Sequence, residues 1–276
     1  MDAPFFESEQ LGSHVRPMKL MSKPVSPVEL TKRQHSRSTG PADQEYHGLV
    51  PAAPALLRSN DLTTKGAVSR TFARASSGRV IVSILTLLVV GRIALGEWGR
   101  GDLVVFITLL VVAGPVEWLL HRHVLHASTE SLTTRRLGLG LGHAKHHLDP
   151  PDLQWLLLRG IDAAAFLVVL AIVNAVWALP LAWIIGGEPF PSYLTALMLA
   201  AAALGHYEWT HLLVHTAYRP RSRYYARLAR NHRRHHHRNE RSWLGVTSNL
   251  GDRIMHTLPS SDAQVPQSPT ARTLGG

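Results

Sequence analysis

Four long apolar runs, separated by short polar punctuation, dominate the middle of the chain. Residues 80–95 are apolar except for small residues and Arg92. A membrane-spanning helix needs about 20 mainly apolar residues, a length this run reaches only if the Arg92 side chain snorkels to an interface. Residues 103–120 are apolar until Glu117. The third run, 161–185, opens on Asp162 and contains Pro180, which is expected to kink or end its helix. The fourth, 193–204, continues helically through G-H-Y-E-W-T-H-L-L-V-H and so carries polar groups in its last turns. The pattern predicts an all-α integral membrane protein with four transmembrane helices in two hairpins. A buried helical core in a soluble protein would show more interleaved charge on one face of each run.

The flanks read differently. Residues 1–78 are rich in Pro, Ser, Thr and charge and show no sustained period, which predicts a largely disordered cytosolic segment. Residues 79–258 form the expected membrane domain, and 259–276 a disordered tail. No short apolar core followed by a small-residue cleavage site opens the chain, so no secretory signal peptide is expected. The connector between the third and fourth runs carries Glu188 and no Lys or Arg, whereas the segment between the second and third runs and the C-terminal segment are strongly basic. The positive-inside rule then places both termini and the segments beyond runs two and four in the cytoplasm.

Composition changes this picture little. Hydrophobic residues make up 45% and charged residues 17%, in keeping with several buried spans. The formal net charge of +10 is accounted for by topology, so no nucleic-acid partner is needed. Cysteine is absent, which excludes disulfides, thiolate metal sites and cysteine catalysis. A metal would have to be held by nitrogen and oxygen.

Histidine supplies the candidate chemistry. Of 17 histidines, 14 fall between residues 121 and 256. His121 and His126 end the second run, and His143, His146 and His147 follow as H-A-K-H-H. His211 and His215 end the fourth run, and His232, His235 and His236 lie in N-H-R-R-H-H-H. Spacings of three and four put imidazoles on one helix face. All four clusters lie at or beyond the cytoplasmic ends of the expected spans, so two antiparallel hairpins would gather them into one cap. Ten imidazoles are too many for one ion and suit two. Iron, zinc, copper and nickel remain open by ligand type. A redox-active iron beside lipid would have a task, the activation of dioxygen.

These clusters resemble the integral-membrane fatty acid hydroxylase and sterol desaturase superfamily. Its H-x4-H, H-x2-H-H, H-x3-H and H-x2-H-H motifs appear here in order, with the flanks E-W-L-L-H-R, H-H-L-D-P-P-D, G-H-Y-E-W-T-H and G-V-T-S-N-L-G-D. The resemblance covers roughly residues 80–258 and lies closest to the fatty acid hydroxylase branch. It implies four transmembrane helices under a cytosolic helical cap, a di-iron centre and O2 as co-substrate. It also implies electrons from a separate donor, such as a cytochrome b5-like protein or a ferredoxin with its reductase. Carried over position by position, the metal ligands would be His121, His126, His143, His146, His147, His211, His215, His232, His235 and His236. His123 and His237 fall at non-ligand positions, and His256 has no counterpart.

Glu117 and Glu208 each precede a ligand histidine by about one turn and are expected to hydrogen-bond an imidazole and fix its orientation. His206 is expected to line the site. Asp149 and Asp152 either cap a helix or support the metal centre. Together these features predict a di-iron, O2-dependent monooxygenase hydroxylating a lipid C–H bond, with a fatty acyl chain preferred. A carotenoid or sterol hydroxylase, or a lipid desaturase, is the alternative within the superfamily. A membrane metal-binding or transport protein is the alternative from another class, and zinc acquired in purification would occupy the same nitrogens.

Overall fold

The structure, a computed structural model, describes residues 58–128, 130–131 and 140–271. Helices alone form its regular elements among these residues. They are α1 (Lys65–Arg74), α2 (Ser76–Leu95), α3 (Arg100–Leu120), α4 (Leu141–Leu148), α5 (Leu153–Leu156), α6 (Gly160–Ile184), α7 (Pro189–Val214), α8 (Arg223–His237) and α9 (Leu250–Ile254).

Among the described residues three stretches are long and apolar enough to cross a membrane: Ser76–Leu95, Arg100–Leu125 and Leu153–Ile184. Their apolar side chains point outward; Leu87 is 68% exposed, Leu110 66% and Val176 73%. In water so much exposed hydrocarbon would be a liability, and a bilayer removes it. The helix of the fourth apolar run, α7, is the hub instead. It packs against α2, α3 and α6 and buries Thr195, Ala196, Ala200, Ala201 and Leu204. Small residues allow this close approach: a Cβ on Gly205 would stand 3.1 Å from Ile81 Cγ2. Because protein rather than lipid covers α7, its last turns can carry His206, Tyr207, Glu208 and His211 without being uniformly apolar.

The turns joining α2 to α3 and α6 to α7 lie at one end of the bundle, where Arg100 Nε donates to Gly186 O at 2.9 Å. Arg92 does not snorkel. It is fully buried at that end, donating from Nε to Thr195 Oγ1 at 2.8 Å and from Nη2 to Asp102 Oδ1 at 2.8 Å. Its guanidinium also bonds Gly96 O and stacks 3.7 Å from the Trp98 ring centroid. A cation with partners on α3 and α7 is better satisfied than one reaching for an interface. Arg92→Leu, which leaves the Asp102 carboxylate buried without its cation, is expected to destabilise the fold by about 3–5 kcal/mol. Thermal unfolding in detergent checks this, and an unchanged midpoint would show the pair to be dispensable.

Of the two outcomes expected at Pro180, a kink or an end to the helix, the second does not occur, since α6 runs through it to Ile184. Two other expectations are revised. Residues 58–78, expected to belong to the disordered segment, are folded. Thr64 caps α1 by accepting from Ala67 N, and Leu62 and Val68 are buried in one cluster with Leu156, Leu212 and Leu213. At ten residues α1 is too short to display a sustained period, so its apolar stripe passes for scatter. Residues 259–271 are likewise placed, with Val265 and Ala271 buried. Residues 1–57 and 272–276 lie outside the described residues.

Candidate metal centre

The four histidine clusters converge at the end of the bundle opposite the two hairpin turns, and they sort into two groups. One group holds His121, His126, His143, His147 and His235; the other holds His146, His211, His215, His232 and His236. All ten residues expected as ligands are therefore brought together, five and five.

The sorting follows from helix geometry. On α4, His143 and His147, one turn apart, face the first group, while His146 faces the second. On α8 the roles reverse, with His232 and His236 facing the second group and His235 the first. Each of these two helices thus lies across both groups. In α7, His211 and the C-cap His215 are one turn apart and share the second group.

The pair that follows α3, His121 and His126, needs a different device. Five residues apart on an α-helix, two side chains diverge by about 140°. Here residues His121–Leu125 form a π-turn, with His126 N donating to His121 O at 3.1 Å, and the wider turn returns His126 to the face of His121. Such single π-turns recur at functional sites. Gly140, at φ +87°, lets the chain enter α4 directly against this turn; a Cβ there would meet Val124 O at 2.9 Å.

Within the first group His121 Nε2 lies 3.1 Å from His143 Nε2 and 3.2 Å from His126 Nε2, and His126 Nε2 lies 3.1 Å from His235 Nε2. In the second, His215 Nε2 lies 2.8 Å from His232 Nε2 and 3.1 Å from His146 Nε2. Each neutral imidazole has one N–H, and backbone carbonyls claim several of them. His121 Nδ1 bonds Leu244 O, His235 Nδ1 donates to Ser242 O at 3.0 Å, and His147 Nδ1 donates to Ala271 O at 3.1 Å. A carbonyl can only accept, so the hydrogen sits on Nδ1 and Nε2 keeps a bare lone pair. The Nε2 lone pairs of His121, His235 and His147, three rings of the first group, are thereby left available to a cation.

Two observations show that the residues suit a metal. His147 Nε2 and His211 Nε2 are buried without a hydrogen-bond partner, which is costly unless something else fills the lone pair. The ligand atoms of each group also lie within 4.8 Å of one another, near the roughly 4.2 Å separating opposite nitrogens around a metal at about 2.1 Å. Burial holds His143, His146, His215, His232, His235 and His236 well below the usual imidazole range, helped by neighbouring histidines, and lowers His147 to about 3. At neutral pH these rings are uncharged, the form that binds metal.

The carboxylates take other places than expected. Glu117 does not bond an imidazole; its oxygens accept from Val246 N, from Thr247 N at 2.8 Å and from the Thr247 hydroxyl. Glu208 accepts from Leu158 N at 3.1 Å. Both carboxylates point to backbone N–H groups that would otherwise be buried unpaired, a stronger demand than a ring already bonded to a carbonyl. His206 lies outside both groups and stacks on Tyr224, with ring centroids 6.3 Å apart. His123 packs edge-on against Trp118, and His237 O accepts from Gln267 Nε2 at 2.6 Å. Asp152 caps α5 by accepting from Gln154 N at 2.9 Å, and Asp149 pairs with Arg58.

The sequence reading missed a carbonyl-bearing loop, residues 242–247, that serves the first group. Asp252 accepts from Leu244 N at 2.9 Å and Gly245 N at 2.7 Å and from the Thr257 hydroxyl at 2.6 Å, while Glu117 holds the next two N–H groups. The loop thus offers Ser242 O and Leu244 O at fixed places to His235 and His121. Asp252 was visible in S-N-L-G-D, but a main-chain carbonyl leaves no trace in residue type.

The segment after α9 was missed too. Ser268 N donates to Arg238 O at 2.7 Å, Arg238 Nε to Val265 O at 2.8 Å, and Thr270 Oγ1 to Glu240 Oε1 at 2.9 Å, which delivers Ala271 O to His147. Ending the chain at Gln267 is expected to weaken metal binding at the first group by about 10–100-fold, the usual effect of losing an outer hydrogen-bond partner. Competition with a chelator measures it, and unaltered metal retention would remove this segment from the centre.

A family model described as fatty acid hydroxylase matches residues 106–257. Fatty acid 2-hydroxylase of Macaca fascicularis is 26% identical over 159 residues, 57% of this chain and 38% of that protein. The Rattus norvegicus protein of the same name is 26% identical over 161 residues, 57% of this chain and 40% of its own. The matched stretch is therefore about two fifths of these relatives' length. No solved structure matches the chain.

Proposed function

Since the chain belongs to the fatty acid hydroxylase family, we propose that it is a membrane-bound, O2-dependent monooxygenase that hydroxylates a C–H bond of a fatty acyl chain. The observation that carries this reading is the pair of five-imidazole groups at one end of an apolar helical bundle. We assign His121, His126, His143, His147 and His235 to one iron, and His146, His211, His215, His232 and His236 to the other. When bound, two irons supply the means to reduce O2, placing one oxygen in the C–H bond and releasing the other as water, with two electrons and two protons from a donor.

The protein's own part is to hold, orient and exclude. Leu244 O, Ser242 O and Ala271 O keep the hydrogens of His121, His235 and His147 on Nδ1, so that Nε2 keeps the lone pair that would hold a metal. The bundle shields the site from bulk water on its membrane side. In this reading α7 is the fourth span, enclosed by the other three, and the metal end with both termini faces the cytoplasm. The basic surface of residues 219–241 can steer an acidic electron donor to that end. The relatives' name specifies carbon 2 of a fatty acid, which makes that carbon the first position to examine.

Carotenoid or sterol hydroxylation and desaturation use related sites, and a transporter would line its path through the spans with ligands instead of gathering them at one end. Mass spectrometry of lipids from cells expressing the wild-type chain or His235→Ala decides among them. The expected result is acyl chains gaining one oxygen in the wild type only. Acyl chains losing two hydrogens would identify a desaturase, and metal uptake without any new lipid would favour the transporter.

A further inference from the structure

A crevice of about 200 Å³ lies between α8 and α9, lined by Tyr224, Arg227, Leu228, Ser248, Asn249, Leu250 and Arg253. Its lining is rich in donors and contains no carboxylate. Neither the Arg227 nor the Arg253 guanidinium has a hydrogen-bond or ion-pair partner among the described residues. Asn249 Oδ1 accepts from Asn231 Nδ2 at 3.4 Å, which leaves the Asn249 amide hydrogens free to donate. The Tyr224 hydroxyl is already committed to Thr247 O at 2.5 Å. An occupant of such a space should bring acceptors and negative charge.

The position of the crevice narrows that occupant further. α9 lies directly on α3, since a Cβ on Gly251 would stand 2.5 Å from Trp118 Cβ and 2.6 Å from Gly114 O. α3 is one of the three membrane-length helices, so the crevice opens beside the apolar belt. Leu250 of its lining is 37% exposed, and Ile254 and Met255, at the end of the same helix, are exposed apolar side chains as well. The crevice is also close to the metal ligands. Leu228 precedes His232 by four residues on α8, one turn or about 6 Å along the axis, and Trp118 precedes His121 by three on α3.

We propose that this crevice holds the anionic head group, carboxylate or phosphate, of a lipid whose chain enters the metal centre. The assignment of that lipid as the substrate rests on the hydroxylase reading above; the binding site itself does not. A head group seated one turn from the imidazoles would present the first carbons of its chain to the metals. The two guanidiniums supply forked donors to an oxyanion, and buried Leu228 and the more exposed Leu250 line the crevice with hydrocarbon for the adjoining methylenes.

The test titrates the full chain, in an uncharged detergent, with octanoate, a short-chain phosphatidylglycerol, the matching monoacylglycerol and inorganic phosphate, with binding read by native mass spectrometry. Both anionic amphiphiles are expected to bind at least about tenfold more tightly than the monoacylglycerol. Arg227→Gln with Arg253→Gln should abolish that preference, while the paired Lys variants retain most of it and so show that the fold survives. Arg230→Gln, exposed on the same helix outside the crevice, should leave the preference intact. Equal binding of charged and uncharged amphiphiles would overturn the proposal. An equal loss in Arg230→Gln would also overturn it, by showing a diffuse basic surface, as would inorganic phosphate binding as tightly as the lipids. Product analysis separates the two readings. Arginine-dependent binding with no hydroxylated product leaves the crevice standing and removes the hydroxylase, whereas normal product with charge-independent binding does the reverse.

Discussion

Replacing His126 and His235 together with alanine is expected to lower bound metal from about two ions per chain to about one, and replacing His215 and His232 to do the same at the other group. The first pair belongs to one set of five imidazoles and the second pair to the other. Either double variant should lose turnover by more than the 10–100-fold that removal of an outer partner brings, because both metals serve one reaction in the proposed function. Metal analysis of the purified variants, with a spectroscopic signature of the remaining ion, provides a readout separate from activity. Release of both ions by either variant would mean that the ten histidines form one cooperative site, an outcome made conceivable by α4 and α8, each of which lies across both groups.

The second large effect is expected at a residue that touches no metal. Asp252 is buried and holds the N–H groups of Leu244 and Gly245. Asp252→Ala leaves both unpaired, at about 1–3 kcal/mol each, and frees the Leu244 carbonyl that fixes the His121 tautomer. Metal at the first group should then bind about 10–100-fold more weakly, with the second group much less affected. Asp252→Asn keeps the shape but turns an amide N–H2 towards one backbone N–H, so it should fall between alanine and wild type. Chelator competition resolved by site would sink the idea if both groups weakened equally, since that outcome signals general loosening of the cap.

Several of these features could not have been read from residue order. The spacing of three and four in His143, His146 and His147 tells that their rings share a face, yet which ring serves which group depends on where α3 and α7 stand around α4. His121 and His126 at a spacing of five look mismatched on any α-helix until the π-turn is seen. Arg92 in an apolar run read as a snorkelling side chain because its partners, Asp102 and Thr195, are supplied by the next helix and by one about a hundred residues away. Glu117 and Glu208 were expected to bond imidazoles, but their partners are the Thr247 hydroxyl and backbone N–H groups, which every residue except proline carries.

By itself the sequence determined what local order can encode. It set the all-helical character, the apolar runs of membrane length, the absence of thiolate chemistry and the ten histidines at one end. Each follows from a run of residue types, or from side chains three or four positions apart. The tertiary structure alone decided the division into two fives, the π-turn that makes His126 useful, and the burial of Arg92 against Asp102. It also decided the service of main-chain carbonyls at 242, 244 and 271. The physical reason is the same in each case: the partner is a backbone atom or lies far along the chain, and neither leaves a mark on the pattern of side chains.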